Sequence, residues 1–185
     1  MKHWLPFRFT PASWGLVGNA YFEAEAYYSL TGEALDRRLL QIRLADDEEK
    51  LRAALIEVDV RYGRVAPLDA ARRRAELTFP PGLDRDLALL EADHDHGALD
   101  NNVYGRRRAD LKNEPWVAIV NSGFNPEQGI DGVFFEFDWN SQWIEYLRNN
   151  GYVGHSDEQV LDDWFADVCR SHSLSDPLVP FMRDT

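Results

Sequence analysis

The sequence predicts an α+β fold: a mainly helical N-terminal part with a helical hairpin, then a β-hairpin followed by two C-terminal amphipathic helices. Two observations predict this class. Apolar residues recur at helical spacing as far as Leu77, and beyond Pro115 short runs rich in valine and aromatic residues replace that spacing. The chain has 185 residues, of which 44% are hydrophobic and 28% charged, so its composition is that of a protein with a packed core.

Residues 1–14 are predicted to form an extended aromatic arm, because Pro6 and Pro11 disfavour a helix there. The rings of this arm either pack on the protein's own core or dock into a partner, as exposed aromatic anchors often do. In the second interpretation the anchors are Trp4, Phe7, Phe9 and Trp14.

Helical periodicity predicts the elements that follow the arm. Residues 19–43 have the spacing of two helices, or of one kinked helix, interrupted at Gly32. A third helix begins with the acidic residues around position 47 and stops at Gly63. With the segment from Pro67 to Leu77 it forms the helical hairpin.

The hairpin has a sequence pattern of its own. Residues 54–65 and 70–77, joined through Gly63, resemble the short helix-glycine-helix modules of the SHOCT type that end many bacterial proteins. The arginines at positions 72–74 depart from the acidic second helix of those modules. The resemblance implies an oligomerisation or docking role for the hairpin.

Three regions are predicted along the chain: the arm and helical hairpin in residues 1–78, a polar linker in residues 79–98, and an acidic α+β region in residues 99–185. The first and third regions can also form one cooperative body. The linker begins at the break between Phe79 and Gly82, and polar residues dominate it.

A possible metal site lies in this linker, in the run Asp93-His94-Asp95-His96. In an extended segment His94 and His96 point to the same side, and imidazole and carboxylate groups both bind divalent metals. The alternative is a hydrated polar loop, and we expect no cofactor.

The third region begins with a polar helix over residues 99–112. Runs of β type at residues 116–120 and 133–137 predict a hairpin with a long loop. Asn140 is among the residues that can cap the next helix, and Ser156 with a glutamine three residues later begins the last one.

Charge is distributed unevenly along the chain. The formal net charge is −12; from Glu114 onward 13 acidic residues stand against three arginines, which leaves −10 in that part. Such a field repels phosphates and anionic lipid, so we expect neither direct nucleic-acid binding nor membrane binding. Carboxylates of the last helix either form a solvated face or imitate nucleic-acid phosphates and occupy a nucleic-acid-binding protein. They are Asp157, Asp162, Asp163 and Asp167.

The C-terminal region has a second resemblance. It rests on residues 134–144, on Leu147, Gly151, Tyr152 and Gly154, and on Asp163-Trp164-Phe165. This segment is similar to the ends of small uncharacterised proteins encoded in tailed-phage genomes. The resemblance implies a phage setting and carries no activity or catalytic residue with it.

These observations favour a non-catalytic protein–protein interaction or accessory protein that binds a protein partner or itself. The sequence has no glycine-serine-glycine elbow and no phosphate-cradling glycine loop, and Cys169 alone cannot form an intrachain disulfide. We expect a soluble protein of the cytoplasm, of the host cell if phage-encoded, or a virion component. The alternatives are the acidic inhibitor and a metal-dependent enzyme that uses residues 93–96.

Overall fold

The computed structural model describes residues 5–124, 126–127 and 133–175, with side chains as far as residue 171. These residues form eight α-helices, two short 3-10 helices and one two-stranded antiparallel sheet. The fold is therefore the predicted α+β class, with helices before and after a single β-hairpin. None of the described helices is both long and apolar enough to span a membrane. The chain divides into two compact units, Met1–Leu99 and Asp100–Thr185.

The first unit contains the arm and five helices. They are α1 (Asn19–Ser29), α2 (Glu33–Arg43), α3 (Glu48–Arg61), α4 (Pro67–Thr78) and α5 (Leu83–Asp95). Each helix packs chiefly against its neighbour in sequence, so the unit is a linear stack in which α3 and α4 form the predicted helical hairpin. Between α1 and α2 the buried side chains of Ala26, Leu39 and Ile42 form one cluster.

The arm is folded rather than extended, which corrects the expectation from its prolines. Its residues Phe7–Phe9 and Pro11–Ser13 form two consecutive 3-10 turns. Proline is compatible with the first position of a helical turn, where its missing N–H is not needed. The buried hydroxyl of Thr10 donates to the carbonyl of Phe7 at 2.7 Å and closes the first turn.

The predicted polar linker is also mostly helical. After a short break at residues 79–82, α5 packs along α4 and buries Leu90 and Ala92. The physical reason is that Leu87 and Leu90 are three residues apart and give α5 an apolar face in spite of the acidic residues around them.

The second unit holds the hairpin and three helices. They are α6 (Asn101–Lys112), β1 (Val117–Phe124), β2 (Val133–Trp139), α7 (Ser141–Asn149) and α8 (Asp157–Ser175). The strands pair from Val117 with Trp139 to Phe124 with Val133, and Val120 is an extra residue that forms a bulge in β1. Side chains from the base of the hairpin, α7 and α8 surround a buried cluster of Leu147, Val160 and Leu161.

The buried side chain of Asn140 connects four segments of this unit. Its Oδ1 accepts hydrogen bonds from the backbone N–H of Trp143 at 3.0 Å, which caps α7, and of Trp116 at 2.9 Å. Its Nδ2 donates to Asp110 Oδ1 on α6 at 3.0 Å and to the carbonyl of Glu114 at 2.9 Å. The residue is 3% exposed, so the Asn140 end of each bond is shielded from water.

Ion pairs connect α2 to the α3–α4 hairpin in the first unit. The carboxylate of Glu33 accepts from Arg37 at 3.0 Å and from Arg64, in the loop after α3, at 2.9 Å. Arg37 also binds Asp59 on α3. The hydrogen bonds from Arg64 and then Arg37 lower the pKa of Glu33 below its ordinary value.

We expect Asn140→Ala to lower the free energy of unfolding of the second unit by about 2–4 kcal/mol, because it removes a helix cap and leaves buried groups without partners. Four of the six tryptophans lie in this unit, so urea unfolding followed by tryptophan fluorescence measures the change. The matched control is Asn102→Ala at an exposed position of α6, which should change stability by less than about 0.5 kcal/mol. Equal effects of the two substitutions would show that the Asn140 bonds are not needed.

We expect Glu33→Gln to destabilise the first unit near neutral pH and to have no such effect in acid. Because the folded state lowers this pKa, the carboxylate stabilises the fold above its unfolded pKa, and the gain is lost as the pH falls through the folded pKa. Thermal unfolding followed by circular dichroism, from about pH 7 to about pH 3, measures the difference from wild type. Glu76→Gln on the exposed face of α4 is the control. A difference that stays constant with pH would contradict an ion-pair origin.

Candidate interaction surfaces

The four predicted anchors of the arm have different environments. Phe7 is buried, with its ring centroid 5.4 Å from that of Tyr21 and 5.5 Å from that of Tyr28, so it fixes the arm to α1. Phe9 and Trp14 are exposed, by 56% and 73%. Trp4 lies outside the described residues.

The exposed rings of the arm stand on an ordered backbone. The N–H of Phe9 donates to the carbonyl of Pro6 at 3.0 Å, and the N–H of Trp14 donates to that of Pro11 at 3.2 Å. The Arg8 guanidinium lies 4.7 Å from the centroid of the Phe9 ring, a distance suited to a cation–π contact. We call the exposed residues Phe9, Trp14 and the neighbouring Val17 the arm surface.

A cavity of about 400 Å³ lies between the arm, α1 and α2. Its lining includes the apolar residues Phe7 and Leu30 and the charged residues Glu25 and Arg38. The hydroxyl of Tyr28, another lining residue, donates to the carbonyl of Leu5 at 2.8 Å and holds one side of the cavity in place. The cavity therefore lies at the contact between the arm and the first two helices. Its lining contains no cysteine or histidine.

The β-hairpin exposes six large apolar residues, each by 40–58%. They are Ile119, Val120, Phe124, Val133, Phe134 and Phe135, and we call them the hairpin surface. The base of the hairpin is covered, since Val117, Phe137 and Trp139 pack on the core of the second unit.

Cover by α8 extends as far as the middle of β2. The Phe165 ring lies 4.9 Å from that of Phe137 and 5.3 Å from that of Phe135, centroid to centroid. Beyond this contact both Phe124 and Val133 are exposed by more than half. On the opposite face the Phe134 ring lies across Gly123, where an added Cβ would be 2.6 Å from the ring.

Arginines pair with half of the predicted acidic surface. Asp157 accepts from Arg148 at 2.7 Å, and Arg170 binds Asp167 and lowers the pKa of that carboxyl. The two remaining carboxylates of this group, on Asp162 and Asp163, are exposed on α8.

The structure does not bring His94 and His96 to one side. The segment is the end of α5, and residues two apart on a helix point in different directions, whereas an extended segment would align them. Asp93 accepts from Arg72 at 2.7 Å, and Nδ1 of His96 lies 2.9 Å from the carbonyl of Ala92. Among the residues that the structure describes, no three His, Cys, Asp or Glu side chains form a group that could hold a metal ion.

The sequence interpretation did not identify the hairpin surface. The signal was present in Val133-Phe134-Phe135, because successive residues of a strand point to opposite faces and three apolar residues in a row place apolar side chains on both of them. Cys169 is exposed on α8.

No family model, no curated protein sequence and no solved structure matches the chain.

Proposed function

We propose that this protein is a non-catalytic interaction protein and that its arm surface contacts a protein partner. One observation supports this most directly: Trp14 and Phe9 are exposed on a segment that Phe7 fixes to the first unit. The phage setting suggested by the C-terminal resemblance belongs to the same proposal.

An ordered arm lowers the cost of binding. The free energy of association is reduced by every side chain and loop that must become ordered at the interface. The turns that hold Phe9 and Trp14 are already formed, so a partner would not have to order this backbone. Tryptophan is also among the residues that most often dominate binding energy at protein interfaces.

The two alternative functions receive less support from the geometry. An inhibitor that imitates nucleic acid needs free negative charge, and arginines partly neutralise Asp157 and Asp167. A metal-dependent enzyme needs converging ligands, and His94 and His96 diverge at the end of α5.

We expect the double substitution Phe9→Ala and Trp14→Ala to weaken partner binding about 10- to 100-fold without unfolding the protein, because both rings are exposed. Affinity capture from cells of the source organism, with quantitative mass spectrometry, identifies a partner. Calorimetric titration of the purified partner then gives the Kd of each variant.

Leu83→Ala is the matched control, since it removes an exposed apolar side chain from α5 in the same unit. It should leave the Kd unchanged. Point substitutions are preferable to deletion of residues 1–14, because deletion removes Phe7 from the core and confuses loss of folding with loss of binding. Equal Kd values for wild type and the double variant would refute a binding role for the arm surface.

A further inference from the structure

The cavity beside the arm has the size and the lining of a small-molecule site. Its volume of about 400 Å³ lies within the range of roughly 300–1,000 Å³ that ligand pockets occupy. Phe7 of the arm and Ala26 and Leu30 of the α1 segment give it an apolar wall, while Glu25 on α1 and Arg38 on α2 give it charge. An apolar wall with a few placed polar groups is typical of ligand pockets.

The two charges of this cavity differ from their neighbours on the same helices. Glu23 on α1 and Arg43 on α2 pair with each other at 2.9 Å. Within the described part of the chain, the Glu25 carboxylate and the Arg38 guanidinium have no hydrogen-bond or ion-pair partner, and they do not contact each other. Glu25 is half-buried and Arg38 is exposed, so a ligand in the cavity can reach both from solvent.

A second cavity in this unit lacks such unpaired charges. It has a volume of about 280 Å³ and lies between α2 and α3. Its charged lining residues are paired: Arg43 as described above, Arg61 with Asp36 at 3.1 Å and Glu57 with Arg74 at 2.7 Å. A charged ligand would have to break these pairs, so the cavity beside the arm is the better candidate.

We propose that the cavity beside the arm binds a free amino acid with an apolar side chain. The α-carboxylate pairs with Arg38, the α-ammonium pairs with Glu25, and the side chain packs on the apolar wall. A simple anion would be repelled by Glu25, and a simple cation would be repelled by Arg38. A small zwitterion is the class of ligand that satisfies both groups.

The wall of the cavity is formed before a ligand binds. The Tyr28 hydroxyl donates to the carbonyl of Leu5 at 2.8 Å, and the Tyr28 ring centroid lies 5.5 Å from that of Phe7, so the arm is fixed against α1. A preformed wall reduces the ordering cost that lowers affinity. A ligand that contacts the arm and both helices also raises the unfolding temperature, because it binds the folded chain and not the unfolded one.

The test is calorimetric titration of the full chain with L-phenylalanine and with L-leucine, up to about 20 mM so that millimolar affinities are covered. At least one of the two should bind, at one site per chain. Absence of binding by both would overturn the proposal.

Analogues that each lack one group of L-phenylalanine test the zwitterion. These are 3-phenylpropionate without the ammonium, phenethylamine without the carboxylate, and glycine without the apolar side chain. Each should bind at least about tenfold more weakly than L-phenylalanine, because each loses one set of contacts. Equal Kd values for L-phenylalanine and 3-phenylpropionate would contradict recognition by Glu25 and overturn the proposal.

Substitutions in the cavity locate the site. Arg38→Gln and Glu25→Gln should each raise the Kd at least about tenfold and leave the unfolding temperature of the free protein unchanged, because neither group has a partner in the described part of the chain. Arg73→Gln and Glu76→Gln, at exposed positions of α4 outside the cavity, are the matched controls and should leave the Kd unchanged. A Kd that stays constant in both cavity variants would overturn the proposal.

A separate variant distinguishes this site from the arm surface. Phe9 and Trp14 do not line the cavity, so the double substitution Phe9→Ala and Trp14→Ala should leave the Kd for the amino acid unchanged. Loss of amino-acid binding in this variant, with an unchanged circular dichroism spectrum, would place the ligand on the arm surface and overturn the cavity site.

Discussion

The hydrogen bonds of Asn140 hold the base of the β-hairpin in the second unit. One side chain ties the start of β1, the end of β2, α6 and α7 together, and all of its bonds lie at the base of the strands. The aromatic core of α7 and α8 packs on this same base. The strands extend past that core, so the distal residues have little apolar cover within the described part of the unit. Exposure of the hairpin surface is therefore a consequence of support at one end.

The first unit obtains its stability differently. Many of its buried positions are small, including Ala26, Ala70, Ala75 and Ala92, which lets neighbouring helices approach closely but buries little apolar area at each. Ion pairs such as Arg64 with Glu33 connect α2 to the loop after α3, although partly exposed pairs contribute little free energy. A linear stack also leaves its first helix uncovered on one side, and terminal elements of such stacks need a cap. The arm covers part of α1 through Phe7, and the rings that this contact does not use remain exposed.

Local signals in the sequence predicted where helices begin and end better than they predicted which residues those helices contact. Periodicity, Gly32 and Gly63 predicted the helices of the first unit because helix formation and termination depend on neighbours a few residues away. The helix α5 was missed because its acidic residues obscured the apolar face that packs against α4.

Contacts between residues far apart in the sequence could not be predicted from it. Asn140 was predicted as a helix cap, a local role, while its bonds to Asp110 and Glu114 join residues 30 and 26 positions away and have no sequence signature. Phe7 and Phe9 are two residues apart and equally apolar, yet one is buried and one exposed, because tertiary packing decides which ring meets α1.

The arm surface and the hairpin surface lie in different units and share no residue. The net charge of −12 disfavours close approach of another acidic protein except where the surface is uncharged, so it restricts association to these apolar residues.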